Sequence, residues 1–268
     1  MNLKSLIPAL ALLPTLAFAE EKFSAGRRLF EVDGHKAFVI LPEKDKPRRE
    51  GKIPWVFYAP TFHNKLPSDR DEGWMMKQFL DKGIAIAGVD VGESYGSPDG
   101  QKIYTGLHQH LVEKFGFDKK ANLLARSRGG LMLYCWAVDN ADKVRSIAAI
   151  YPVCDLSSYP GIAKACGAYK LTAAELEAQL HKHNPILRLE PLAKAKVPLF
   201  HIHGGIDKVV PLEPNSAALV QRYKKLGGKA DLEIAKGQGH NMWSGFFESE
   251  KLVDFVIKQA IGSEADDD

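Results

Sequence analysis

"ANLLARSRGGLMLYCWAVDNA", Ala121 to Ala141, decides how the chain is read. Its first part is a short apolar run, as in a strand buried on both faces. From Gly129 onward the apolar run is too long for a strand and reads as a buried helix. Between them stands Ser127, flanked by Arg126 and Arg128 and followed by two glycines. A serine at such a strand-to-helix junction sits on a tight, strained turn. The residues two before and two after it lie against neighbouring backbone and must be small. Ala125 and Gly129 meet that condition, and Gly130 relaxes the crowding further. The turn would hold the Ser127 hydroxyl above the sheet and leave the N–H of Arg128 free at the helix start. Ser127 is therefore a candidate nucleophile. The bland alternative is a serine in a basic turn.

Outward from this stretch the chain alternates between strand-like and helix-like runs. "RRLFEV" and "KAFVILP" read as an opening hairpin turned by Asp33-Gly34. "PWVFYA", "IAIAGVDV", "VRSIAAIYPV", "VPLFHIHG" and "ADLEIAK" read as further strands. Helices are predicted over 71–83, from about Gln101 to Phe115, and in "PNSAALVQRYKKLGG" and "SEKLVDFVIKQAI". Apolar strands separated by helices imply βαβ units and a mostly parallel sheet covered on both faces. Residues 155–190 read as irregular with one short helix, "TAAELEAQLHKH". They follow a strand end, so they should lie at the carboxyl edge of the sheet, where ligands bind in open α/β folds. They are long enough to form a small cap.

Two more motifs stand at strand ends. "HIHGGIDKVVP" places Asp207 in the loop after its strand, and "GQGHNMW" places His240 in a glycine-rich loop after the next. Each has a bland reading, a helix cap or a surface histidine. Their order, Ser127 then Asp207 then His240, is that of a Ser-Asp-His triad on an α/β-hydrolase sheet. On these motifs the sequence resembles the α/β-hydrolase superfamily, in particular small single-domain members of its prolyl-oligopeptidase-like and dienelactone-hydrolase-like branch. The resemblance covers nearly all of residues 20–268. It implies an α/β-hydrolase fold with an eight-stranded, mostly parallel sheet and helices on both faces. The chain departs from the pattern in having Ala125 for the first elbow glycine. Serine rather than cysteine at 127 argues against dienelactone hydrolysis itself. The N-terminal β-propeller of large prolyl oligopeptidases has no counterpart in this sequence.

The resemblance also implies roles. Ser127 would attack an acyl carbonyl, His240 would move its proton, and Asp207 would orient His240. One oxyanion donor would be the N–H of Arg128. The other would come from the loop after "WVFYA", at Phe62 or secondarily Thr61. Substrate contacts are expected from Arg126, His63, Tyr95 and Trp243, with Glu93 in the same loop as Tyr95. An arginine fork beside the nucleophile suits a carboxylate or sulfate. "SRGG" is similar to the S-R-x-G part of the elbow of glucuronoyl esterases, which act on uronic acid esters. The leading expectation is a secreted or periplasmic carboxylesterase acting on a small-molecule or polysaccharide-derived ester. A serine peptidase of prolyl-oligopeptidase-like type is the alternative. A non-catalytic binding protein on a hydrolase scaffold is the alternative from another class.

Composition bounds these readings. With 268 residues, 45% hydrophobic and 26% charged, the chain is ordinary globular sequence for one domain or two small ones. A net charge of +3 without a basic stripe gives no footprint for nucleic acid. Residues 1–19, with Lys4, an apolar run from Leu6 to Leu16 and Ala17-Phe18-Ala19, read as a secretory signal peptide rather than a membrane span. No cofactor or metal is expected. The histidines show no H-E-x-x-H spacing, and His201 and His203 read as alternating along a strand rather than converging. Among Cys135, Cys154 and Cys166 no C-x-x-C pair occurs. Cys154 and Cys166 could bridge, or be two buried free thiols. The sequence does not state an oligomeric form.

Overall fold

The computed structural model describes residues 22–62 and 67–262. The segment 1–19 expected to be a signal peptide, His63 and the acidic tail lie outside the described residues. Eight strands form one sheet: β1 (Arg27–Val32), β2 (His35–Ile40), β3 (Trp55–Ala59), β4 (Ala85–Val89), β5 (Ala121–Arg126), β6 (Val144–Ile150), β7 (Leu199–Gly204) and β8 (Ala230–Ala235). Their order is β1-β2-β4-β3-β5-β6-β7-β8. β1 and β2 pair antiparallel, as do β2 and β4, and all other neighbours are parallel. The hairpin forms at Asp33-Gly34, where both residues take positive φ, 50° and 78°. That is the backbone a two-residue turn with right-handed strand twist requires.

The helices are α1 (Gly73–Asp81), α2 (Pro98–Phe115), α3 (Gly129–Asp139), α4 (Ile162–Ala165), α5 (Ala173–Ala178), α6 (Leu180–His183), α7 (Glu190–Lys194), α8 (Ala218–Lys225), α9 (Ser244–Phe247) and α10 (Glu250–Ile261). α2 begins with Pro98 at its first position and ends at Gly116 in the left-handed region, the usual asymmetry of helix ends. Strand side chains alternate between two cores with period two. Trp55, Phe57 and Ala59 face one core with α2, α3 and α8, whereas Val56 and Tyr58 face the other with α1 and α10. This explains the unbroken apolar runs, since both faces of each central strand are covered.

The order 4-3-5 has a functional consequence. From β3 the chain crosses to β4 on one side, and from β5 it crosses to β6 on the other. The connections thus diverge at the carboxyl ends of β3 and β5, which leaves a crevice there. The loop at 60–62 and Ser127 open onto this point.

Residues 155–190 are more helical than the sequence suggests. The expected single helix is two, α5 and α6, broken at Gln179 (φ −107°, ψ 12°). Thr172 and Glu175 form a reciprocal capping box at the start of α5. The segment builds a small core of its own, with Leu156, Ala165, Tyr169 and Leu176 packed against Leu131 and Cys135 of α3. The cysteines are all free; Cys154 is buried and the Cys166 thiol points to the carbonyl of Ala163. Of the two sequence alternatives, the bridge does not form. Among the described residues no helix is long and apolar enough to cross a membrane.

Candidate active site

Ser127 follows β5 with φ 51°, a left-handed conformation that is strained for a residue with a side chain. The strain is over-determined by its surroundings. The Ser127 N–H donates to Ile150 O at 3.0 Å, and its carbonyl accepts from Gly130 and Val153 N–H, each at 2.9 Å. The glycines after it are needed for space. A Cβ on Gly129 would lie 2.3 Å from the carbonyl carbon and oxygen of Ala59, and one on Gly130 would lie 2.5 Å from Pro152 Cβ. β3 and the elbow therefore touch backbone to backbone. Gly129→Ala is expected to cost about 3 kcal/mol or more, because overpacking against main chain cannot relax by a rotamer change. That corresponds to a fall in melting temperature of roughly 6–12 °C. A melting curve within about 2 °C of wild type would rule out this contact.

Asp207 lies beyond β7 with its carboxylate fully buried. Oδ1 accepts from the N–H groups of Val209 and Val210, both at 2.9 Å. Oδ2 accepts from His240 Nδ1 at 2.7 Å. The other ring nitrogen, Nε2, is 2.8 Å from Ser127 Oγ. An ionised carboxylate can only accept, so Nδ1 carries the proton and Nε2 is free to accept from the serine hydroxyl. The Tyr151 ring, at the end of β6, packs 4.4 Å from the His240 ring centre and limits its movement. The structure thus brings Ser127, Asp207 and His240 together in one hydrogen-bonded line.

The line opens into a cleft of about 460 Å³ lined by Pro60, Phe62, Glu93, Arg126, Arg128, Tyr151 and the His240–Met242 loop. Phe62 reaches this cleft. Thr61 does not; it is buried and its hydroxyl donates to Tyr58 O at 3.3 Å. Arg128 sits at the start of α3 with its side chain on Glu93 and its guanidinium 5.9 Å from the Phe62 ring centre. Arg126 lines the cleft while holding Glu72 at 2.8 Å.

Two expected substrate contacts are corrected. Tyr95 is not in the cleft. Its ring is buried in the small core against Leu131 and Cys135, and its carbonyl accepts from Tyr169 OH at 2.8 Å. Trp243 is also outside it: its ring leans over Gly245 and packs edge-on against Phe246 at 5.3 Å. Met242 and Asn241 take the place expected of Trp243. The sequence reading missed Tyr151, Asn241, Met242 and Glu72. Tyr151 had a usable signal, since it ends the strand next to the nucleophile's strand. Glu72 had none.

The reading of His201 and His203 is corrected as well. Residues two apart on a strand share a face. Nδ1 of His201 and Nδ1 of His203 both reach Ser216 Oγ, at 2.9 and 2.8 Å. Ser216 is held inward by a π-turn at Glu213–Ala217 that precedes α8. Donor accounting orients the whole chain. His203 Nε2 must donate to Val210 O (2.9 Å), so its Nδ1 accepts from the Ser216 hydroxyl. His201 Nδ1 then donates to Ser216 Oγ, and Tyr134 OH donates to His201 Nε2 at 2.6 Å. The network ends beside the triad, with His203 Nε2 3.6 Å from Asp207 Oδ2. Among the described residues no group of three or more His, Cys, Asp or Glu side chains is placed to hold a metal ion.

Burial, reinforced by the neighbouring His203, pushes His201 down to about 3. In the unfolded chain it protonates near pH 6.5, and in the fold it does not. The unfolded state therefore binds the extra proton between about pH 6.5 and 3. Stability falls through that window as pH falls, by up to about 1.4 kcal/mol per unit. The melting temperature is expected to drop steeply from pH 6 to 4, and less steeply in His201→Phe. Equal slopes in both proteins would refute this.

The sheet, the strained serine elbow and the hydrogen-bonded Ser-His-Asp line define a serine hydrolase with the α/β-hydrolase fold. The description of the prolyl oligopeptidase family matches residues 105–260, more than half of the chain. The protein belongs to the prolyl oligopeptidase family. No curated protein sequence matches it. Among solved structures it is similar to a Mycobacterium tuberculosis puromycin-hydrolyzing peptidase (18% identity, TM-score 0.68, 94% of this chain and 41% of that one). It is similar to Pyrococcus horikoshii acylaminoacyl peptidase (20% identity, TM-score 0.66, 90% and 42%). It is also similar to Porphyromonas gingivalis dipeptidyl peptidase 4 (15% identity, TM-score 0.67, 87% and 35%). The chain thus spans well under half the length of each of these.

Proposed function

We propose that this serine hydrolase is a peptidase that cleaves amide bonds in short peptides or aminoacyl compounds through an acyl-enzyme. The observation that carries the reading is the unbroken Asp207–His240–Ser127 line at the mouth of a cleft, in a chain of this family. As the substrate carbonyl enters, Ser127 Oγ attacks it and its proton passes to His240 Nε2. The oxyanion is held by the N–H of Arg128 and that of Phe62, donors of a kind each worth about 10²–10³ in rate. His240 returns the proton to the departing amine. Water, deprotonated by the same imidazole, then releases the acid and regenerates Ser127.

The names of the similar structures, all peptidases, favour the amide reading over the carboxylesterase that the sequence puts first. The same machinery hydrolyses esters, which are chemically easier, so the test compares natural-type substrates. Short unblocked peptides and aminoacyl amides are set against acetylated sugars and uronate methyl esters. Turnover of peptides with kcat/KM at least tenfold above that of the esters supports the proposal. Turnover of the esters alone overturns it in favour of the esterase. The segment 1–19 supports export to the periplasm or medium. An exported protein whose mass still includes residues 1–19 would count against cleavage there.

A further inference from the structure

Arg126 and Arg128 stand on opposite sides of the nucleophile. Arg128 is paired with Glu93 at the rim, where their side chains are 35% and 43% exposed, and it lies over Phe62 on the oxyanion side. Arg126 goes the other way. Its Nη1 is 3.9 Å from Met242 Sδ, and its guanidinium lies 6.0 Å from the Phe247 ring centre. Met242 in turn accepts from Tyr151 OH at 3.7 Å, and Tyr151 packs on His240. Arg126 therefore belongs to the side of the cleft on which His240 stands.

The cation is fixed from behind. Glu72, with its side chain 3% exposed, accepts from Arg126 Nη1 on Oε1. It also takes Tyr58 OH at 2.9 Å, Ser68 N–H at 2.9 Å and Ser68 Oγ at 3.1 Å. Three donors hold this carboxylate below the cleft, and the single Ser68 hydroxyl proton is shared between it and Asp71 Oδ2, which lies 3.0 Å from Ser68 Oγ. Among the described residues the Arg126 Nε and Nη2 groups have no protein acceptor, and the side chain is 22% exposed in the cleft lining. A planar fork with one edge pinned to a buried acid and the other edge open is suited to a second carboxylate. An incoming anion meets the guanidinium at contact; Glu72 on its other edge and Asp71, which also acts on Arg126, reduce the attraction without cancelling it.

In acyl transfer the histidine that protonates the leaving group must lie beside it. The leaving group thus occupies the Arg126 side. We infer that Arg126 forms a leaving-group subsite for a carboxylate carried within a few bonds of the scissile bond. In a peptide that carboxylate is the free C-terminus of the departing fragment, a single amino acid being the shortest. The inference deepens the function proposed above and rests on its nucleophile and base, though not on the choice between amide and ester.

The test uses phosphonate diesters that phosphonylate Ser127, with 3-carboxyphenoxide or its methyl ester as leaving group. The ratio of their second-order inactivation rates is compared between wild type and Arg126→Met/Glu72→Gln. Glutamine removes the buried charge that the loss of Arg126 would leave unpaired; its oxygen keeps the Ser68 side and its NH₂ donates to the Tyr58 hydroxyl oxygen in place of accepting from it. The carboxylate-to-ester ratio is expected to be at least tenfold higher in wild type, with Arg126→Lys between the two. Should the double variant not fold, wild type alone decides: benzoate is expected to slow phosphonylation at a concentration at least tenfold below that of benzamide. Equal ratios, or equal potency of benzoate and benzamide, overturn the subsite. Failure to phosphonylate Ser127 at all overturns both it and the nucleophile. Dipeptides and their C-terminal amides are assayed in parallel. If neither is cleaved while the phosphonate ratio holds, the peptidase reading falls and the subsite stands.

Discussion

Ser127→Ala is expected to lower kcat by about 10⁴–10⁶-fold while leaving the fold intact. The size follows from the loss of the covalent route, since among the described residues no other hydroxyl or thiol lines the cleft except that of Tyr151. Tyr151 cannot substitute, because burial holds its phenol well above the ordinary range and its OH already donates to Met242. The fold should survive because Ser127 Oγ has His240 as its hydrogen-bond partner, while the elbow is held by backbone bonds that alanine keeps. Turnover with a short peptide and a melting curve measure both halves. A variant retaining more than about a hundredth of wild-type kcat would contradict the assignment of Ser127 as nucleophile, whatever its stability.

Asp207→Asn is the second large effect, a loss of about 10⁴ in kcat with little change in melting temperature. The argument is one of proton direction. The N–H groups of Val209 and Val210 both point at Oδ1, so the amide oxygen of asparagine must stay there. Its NH₂ then faces His240 Nδ1, which must become an acceptor. The ring proton moves to Nε2 and points at the serine hydroxyl that it should be receiving. The base is lost although every heavy atom keeps its place. Activity within tenfold of wild type would show that Asp207 does not set this tautomer.

Much of this site was legible in the chain because its parts are local. The elbow announces itself by the change from strand to helix at Ser127 and by small residues at Ala125 and Gly129. Asp207 and His240 announce themselves by following strands. What could not be read depends on neighbours brought in by sheet order. Glu72 belongs to the start of α1 and meets Arg126, 54 positions away, only because β3 and β5 are adjacent. Tyr95 shares a strand-end loop with Glu93, which does reach the cleft, but its ring finds more apolar surface under α4 and α5. Trp243 was placed by its nearness to His240, yet the turn into α9 carries it past the opening. The pairing of His201 with His203 was available from strand periodicity and needed only the two-residue rule. Ser216, the group that joins them, was not, since a π-turn shifts the helical phase that would predict where it points.

The order of the catalytic residues along the chain has a consequence for when the protein becomes active. The nucleophile belongs to the central strand β5 and its base to the loop after β8, at the sheet's edge. During synthesis the serine elbow is made more than a hundred residues before the imidazole that activates it. A growing chain therefore carries a hydroxyl without its base, and a chain that ends before His240 stays in that state. The enzyme is in effect its own zymogen until the last parallel strand has docked. A serine hydrolase built this way has no activated nucleophile while it is still being made.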